Sequence, residues 1–239
     1  MPDAWRNNAA IQARSSETAL PIADSLNISA NSQLRADAGT NGDGGVTVAW
    51  SNALTRAEGT LSARGGSSTG NGGLIEVSGR KQLIFDAAAD TQANKGNRGT
   101  LLLDPDNLIV VRNDQDTTSA DPAVSLLTAE RIESSLASND LILLTNSDIT
   151  VNADIGWKTN QTLTLRSGNA IQINAGITVA GDSGGLALFH GASGYTLGPL
   201  GKVNFNGAHN VFRVNGQNYT ILHAWTGTTP VGSTGYYAL

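Results

Sequence analysis

One step recurs along this chain: two small residues, then a short strand of alternating apolar side chains. Gly44-Gly45-Val46-Thr47-Val48 returns as Gly72-Gly73-Leu74-Ile75-Glu76-Val77, and again as Gly99-Thr100-Leu101-Leu102-Leu103. The offset of roughly 27–28 residues falls in the range of solenoid repeats. A second series, Leu141-Ile142-Leu143-Leu144, Leu163-Thr164-Leu165, Leu186-Ala187-Leu188 and Val211-Phe212-Arg213-Val214, recurs at roughly 22–25 residues. Companion strands run between them: Ile149-Thr150-Val151, Ile171-Gln172-Ile173 and Val203-Asn204-Phe205. Ile177-Thr178-Val179 adds a third short strand to at least one unit.

Strands this short do not make a stable sheet alone. Stacked on the equivalent strand of each neighbour, they form parallel sheets spaced about 4.8 Å per coil. Parallel pairing normally uses a helical crossover, but these connections are short and rich in Gly, Asn, Asp and Ser, so the chain must coil on itself. The expected fold is all-β, a right-handed parallel β-helix, in preference to a β-sandwich. About ten coils would give a body on the order of 45 Å long. Gly and Asn suit the corners because both tolerate positive φ. Asn152 and Asn174, which follow the same strand of successive units, are candidates for a stacked amide ladder.

One segment breaks the pattern. Asp121 to Ser138 reads as helical, with Ala129, Ile132 and Leu136 on one face. Thr128 is placed to cap it, and Glu130 sits favourably in its first turn. The expectation is a loop-and-helix excursion over 113–139, packed beside the solenoid and covering a sheet edge. The organisation that follows is an irregular segment or incomplete first coil over 1–24, a first series over 25–112, the excursion, and a second series over 140–239. The final Gly235 to Leu239 reads as the start of a further repeat.

Composition removes several function classes. An apolar share of 39% with a net charge of −5 describes a folding chain, not a disordered one. Fifteen Lys and Arg residues, scattered without a run, in an acidic chain exclude nucleic acid as the main ligand. The absence of cysteine removes disulfides, thiolate metal sites and cysteine nucleophiles. The Met1-Pro2-Asp3-Ala4-Trp5-Arg6 start has no apolar core of a signal peptide, so any export address is expected to lie upstream.

The residues also resemble a known family. Gly70-Asn71-Gly72-Gly73-Leu74-Ile75-Glu76-Val77-Ser78-Gly79-Arg80-Lys81 resembles the "GGFVEVSGK" segment of filamentous-haemagglutinin-like exoproteins of two-partner secretion. As in that family, it is followed by Leu83-Ile84-Phe85-Asp86 and then by Gly96-Asn97-Arg98-Gly99-Thr100-Leu101-Leu102-Leu103-Asp104-Pro105-Asp106-Asn107-Leu108. Gly42 to Ser51, Thr60 to Gly66 and Asp148 to Ala153 resemble its "GNGGTVIVWSD", "ISARGG" and "DITVNA" steps. The resemblance covers about residues 25–225. It implies a secreted or cell-surface adhesin of a Gram-negative bacterium, exported through an outer-membrane transporter. It further implies an interior or C-proximal fragment, because the family's N-terminal secretion domain has no counterpart here. Partners expected on this reading are that transporter and host or environmental glycans or surface receptors. End-to-end self-association is a further expectation, since solenoid ends expose unpaired strands.

Against this stands a different class, a carbohydrate-active β-helix (a polysaccharide hydrolase or lyase) with Asp residues on an exposed face. The candidate chemistry is sparse. Ser68 and Ser183 each sit in a Gly-x-Ser-x-Gly match, but both matches lead into strands where a nucleophile elbow needs a helix. His190, His209 and His223 are 19 and 14 residues apart, short of the repeat period, and read as surface or corner residues. Asp104, Asp106, Asp114 and Asp116 cluster near a turn, yet nothing selects the converging oxygens of a calcium site or a glycosidase pair. Trp50, Trp157 and Trp225 read as packing residues at coil ends more than as sugar platforms. Asn27, Asn160 and Asn218 match the N-glycosylation acceptor. No catalytic, metal or cofactor-binding set is selected, and no cofactor is expected.

Overall fold

The computed structural model describes residues 23–113, 119, 121–223 and 236–238. Within them the chain winds into a parallel β-solenoid of about seven turns. Every turn but the fourth lays one strand on each of three walls. The first three turns hold β1 (Ser25–Ile28), β2 (Gln33–Arg35) and β3 (Val46–Ser51), then β4 (Leu54–Ala57), β5 (Thr60–Ser62) and β6 (Leu74–Gly79), then β7 (Gln82–Phe85), β8 (Ala88–Asp90) and β9 (Thr100–Leu103). The fourth holds β10 (Leu108–Val111), β11 (Ser125–Thr128), the helix α1 (Ala129–Ser135) and β12 (Asp140–Thr145). The fifth and sixth hold β13 (Ile149–Val151), β14 (Ile155–Trp157) and β15 (Thr162–Ser167), then β16 (Ile171–Ile173), β17 (Gly176–Val179) and β18 (Gly185–Phe189). The seventh holds β19 (Tyr195–Leu197), β20 (Lys202–Phe205) and β21 (Val211–Val214), after which β22 (Gln217–Ile221) and β23 (Tyr237–Ala238) close the chain.

The two repeat series seen in the sequence are one wall. β3, β6, β9, β12, β15, β18 and β21 pair in parallel without a break, and Leu101 lies opposite Leu141 across the junction. The step along this wall is 28 residues from Val46 to Leu74, 40 from Leu101 to Leu141 and 22 from Leu141 to Leu163. The single 40-residue step, with residues 1–22 and 224–235 outside the described ones, leaves about seven described turns where about ten were expected. The assignment of Val203–Phe205 to the Ile149 and Ile171 series is also corrected. Those residues are β20 and pair with β17 on the second wall, while β19 takes the place beside Ile171–Ile173.

The core is a set of inward columns, one residue per turn. Leu101, Leu141, Leu163 and Leu186 are in register and fully buried, and the column ends on Phe212 at 6% exposure. Each such side chain contributes roughly 1.5–3 kcal/mol. The Gly-Gly repeat has a steric cause. A Cβ on Gly73 would lie 2.0 Å from the Gly45 carbonyl oxygen, and one on Gly99 would lie 2.0 Å from that of Gly73. Successive turns touch backbone to backbone at this corner.

The helix differs from expectation in extent and position. It spans Ala129–Ser135 where helix was expected over 121–138, and Ser125–Thr128 before it is a strand. Thr128 does cap it, accepting from the Arg131 N–H at 3.2 Å, and Glu130 lies in the first turn. It does not pack beside the solenoid. It replaces the second-wall strand of the fourth turn, between β8 and β14, and contributes Ala129, Ile132 and Leu136 to the core. Asn139 ties it to the turn below, accepting from Thr91 N–H and Oγ1 at 2.9 Å each and donating to the Ala89 carbonyl at 3.0 Å. Glu133 ties it to the turn above by accepting from the Gly156 N–H at 2.7 Å. β11 is an added first-wall strand. It pairs with β10 and lies against β7, where the Leu83 N–H donates to Ser125 Oγ at 2.8 Å.

The third wall ends in a hairpin. Asn215 and Gly216 both have positive φ, 47° and 82°, as a type I′ turn requires. β22 therefore runs antiparallel to β21, and β23 pairs parallel to β22.

Candidate functional site

Two surface grooves follow the corners of the solenoid. The larger, about 730 Å³, lies where the first wall turns into the second. Its polar lining comes from turns four to seven: Arg112, Asn113, Asn152, Asp154, Asn174 and Lys202. The expected amide ladder is present, with Asn174 Nδ2 donating to Asn152 Oδ1 at 2.8 Å. Asn113 Oδ1 accepts from the Glu130 N–H at 2.8 Å, and Asp154 Oδ1 accepts from the Gly176 N–H at 2.6 Å. Asn152 and Asn174 project because each follows an inward strand residue, Val151 or Ile173, by one position. The groove offers a row of amide donors and acceptors at one-turn intervals, with Lys202 at one end and a single lining carboxylate.

The smaller groove, about 410 Å³, lies where the third wall turns into the first and is lined by Asp24, Asn52, Arg80, Lys81 and Asp106. Asp106 Oδ1 accepts from Asn146 Nδ2 at 2.8 Å. Further along the same corner, Asp148 Oδ1 accepts from Asn169 Nδ2 at 2.8 Å, and Asn169 Oδ1 accepts from Ser193 Oγ. Asp and Asn stack here as at the other corner, each accepting from an amide or hydroxyl of the next turn.

Ser68 and Ser183 both lie at the remaining corner, between the second and third walls. Ser68 is exposed, and its N–H donates to the Thr40 carbonyl at 2.8 Å. Ser183 has a more suggestive setting. Asp182 beside it accepts from His209 Nδ1 at 2.9 Å, and His209 lies one turn further along the chain. The order is wrong for a hydrolytic triad, in which the imidazole stands between hydroxyl and carboxylate. Here the carboxylate stands in the middle, receiving hydrogen bonds from His209, Ser183 and the Ala208 N–H. The His209 bond is the main reason its pKa falls below the ordinary carboxylate value. Sequence reading compared histidines only with one another and missed this pair; the 27-residue separation, one turn, was the signal.

His190 packs against Tyr195 with ring centroids 5.9 Å apart, and its N–H donates to Asn215 Oδ1 at 2.9 Å. Asp104 and Asp106 are half-buried around the buried Pro105, while Asp114, Asp116 and Trp225 lie outside the described residues. Among the described residues, no group of three or more His, Asp or Glu side chains is placed to hold a metal ion. Trp157 is a core residue at 4% exposure, with Nε1 donating to the Gln161 carbonyl at 3.0 Å. Trp50 is half-buried on the third wall. Asn27, Asn160 and Asn218 are all exposed.

Two further carboxylates are perturbed. Burial pushes the Asp140 pKa up, against the Thr162 N–H and the charge of Arg98, which lower it. Burial also opposes ionisation of Asp37, but hydrogen bonds from the Arg64 N–H, Ser62 and Arg35 outweigh it and the pKa falls. Neither residue lines either groove. Compared with known proteins, this chain matches no family model, no curated sequence and no solved structure.

Proposed function

We infer that this chain is a structural and adhesive module of a large secreted bacterial surface protein, a non-catalytic stretch of stalk. One observation supports the reading most: the corners present stacked Asn, Asp and Ser side chains at one-turn intervals along a continuous solenoid. Such a surface repeats the same weak contacts many times over, which suits attachment to an extended, repetitive ligand such as a surface glycan. Weak sites in a row gain through multivalency. The similarity of residues 70–108 to filamentous-haemagglutinin-like exoproteins supports the same reading, and with it a cell-surface location and export through an outer-membrane transporter.

The competing reading is a polysaccharide hydrolase or lyase, with Asp154 or Asp106 as the acting carboxylate beside the basic residues of its groove. A glycan array run together with a hydrolysis screen on acidic polysaccharides separates the two. Binding without turnover is the expected result. Turnover that disappears in Asp154→Asn or Asp106→Asn would overturn the module reading.

A further inference from the structure

Gly176, at the corner between the first and second walls, is not a glycine for the sake of its backbone. It is not among the positive-φ residues, and the nearest atoms to a Cβ placed on it are side-chain atoms, not the carbonyls that crowd Gly73 and Gly99. Asp154 Oδ1 would lie 3.0 Å away and Lys202 Cε 3.5 Å away. Strand register explains the trio. Lys202 is the partner of Gly176, and Asp154 precedes Ile155, which pairs with the Ile177 that follows Gly176. The three form one column over turns five, six and seven. With no side chain in the middle, the carboxylate and the lysine stem lean in over turn six from either side. Asp154 Oδ1 accepts from the Gly176 N–H at 2.6 Å, and among the described residues neither charge makes an ion pair. The linked amides of Asn152 and Asn174 run beside this column. Leu200, 79% exposed, stands at the rim of the same groove. At about 730 Å³ the groove has the size of an ordinary ligand cleft, roughly 300–1,000 Å³.

We propose that this groove binds a neutral, unbranched glycan laid along the solenoid axis, with two adjacent hydroxyls of one sugar bridging Asp154 and Lys202. A hydroxyl both donates and accepts, a carboxylate only accepts and an ammonium only donates. One hydroxyl therefore donates to Asp154, and its neighbour accepts from Lys202. The Asn152 and Asn174 amides offer a donor and an acceptor to the sugars alongside, and Leu200 offers apolar surface to the C–H face of a ring. The spacing suits such a ligand. Turns rise by ~4.8 Å, close to the length of one sugar in an extended chain. Asn113, Asn152, Asn174 and Lys202 come from four successive turns, so the groove takes about four sugars, one per turn. An evenly acidic glycan is selected against, because Asp154 stands within the row and would face its carboxylates. The assignment rests on the adhesive reading and narrows it to one corner and one ligand class.

Saturation-transfer NMR titrations of the full chain test it, using linear gluco-, manno- and galacto-oligosaccharides of two to six residues, with oligogalacturonides of the same lengths as the acidic arm. At least one neutral series is expected to bind, tightening from two residues to four and levelling beyond. Gly176→Ala sets a methyl group between Asp154 and Lys202 without changing a charge. It is expected to weaken that binding by about tenfold or more, as loss of one charge-assisted hydrogen bond does. Lys202→Met should do the same, and it reads the same contact if circular dichroism shows Gly176→Ala to be unfolded. Asp148→Ala, at a different corner, should leave binding unchanged. Binding that survives both groove variants, that is lost with Asp148→Ala, or that is confined to the oligogalacturonides overturns this assignment and leaves the adhesive reading standing. Failure to bind any glycan, here and on the wider array, removes both.

Discussion

Asn139 is fully buried, and all its hydrogen bonds go to the joint between α1 and β8. Replacing it with Ala strands the Thr91 N–H and the Ala89 carbonyl without water. Each buried group left unpaired costs roughly 1–3 kcal/mol, so Asn139→Ala should lower the unfolding free energy by about 3 kcal/mol, read from urea midpoints at constant m-value. Asp140, its neighbour, acts in the opposite direction. Burial raises its folded pKa above the unfolded value of 3.8, so the folded state holds the proton more tightly. Stability therefore falls as pH rises from 3.8 through the folded pKa, and stays lower above it. Asp140→Asn keeps an oxygen for the Thr162 N–H and removes the charge. It should flatten that fall, and urea midpoints measured from pH 3 to 7 check it; an unchanged pH slope would contradict the assignment. The chemistry of single positions was the least legible level in the sequence. Asn139 reads as one more turn residue until β8 is known to lie beneath it, and Asp182 with His209 is invisible without the turn length.

At the scale of elements, the inward strands were legible because an apolar residue every second position, repeated at a near-constant offset, has few other solutions. β11 was not, because Ser125-Leu126-Leu127-Thr128 runs directly into the helical pattern of Ala129, Ile132 and Leu136, and local periodicity cannot divide the two. β20 was misassigned for a related reason. Tyr195-Thr196-Leu197 sits uncovered at the end of its wall, and Val203-Asn204-Phe205 has the stronger alternation. The helix follows ordinary rules once placed. Thr128→Ala should cost about 1 kcal/mol through the lost cap, and Ile132→Ala about 3 kcal/mol through the cavity left in a core position. The glycine corner makes a sharper demand. Gly73→Ala sets a methyl group into the Gly45 backbone; overpacking of this kind costs about 2–3 kcal/mol. Thermal or chemical denaturation of the three variants should rank the cap as the mildest.

For the molecule as a whole, a stack in which each turn touches mainly its neighbours is strongest in the middle and frays at its ends. Amide hydrogen exchange should be slowest in β12 and β15, flanked on both sides, and fastest in β19 and β20. Equal protection along the rod would mean that the turns unfold as one unit. The fourth turn carries a geometric consequence of its own. Its first wall holds two strands, β10 and β11, and its second wall holds a helix. A helix with side chains is about 10 Å across, close to twice the ~4.8 Å spacing of strands, so the extra strand raises the first wall to match. On the third wall β9 pairs directly with β12, with no strand between them. That turn should therefore form a wedge, thick on two sides and thin on the third, and since a column built over a wedge leans toward its thin side, the axis is expected to deflect where a helix stands in for a strand.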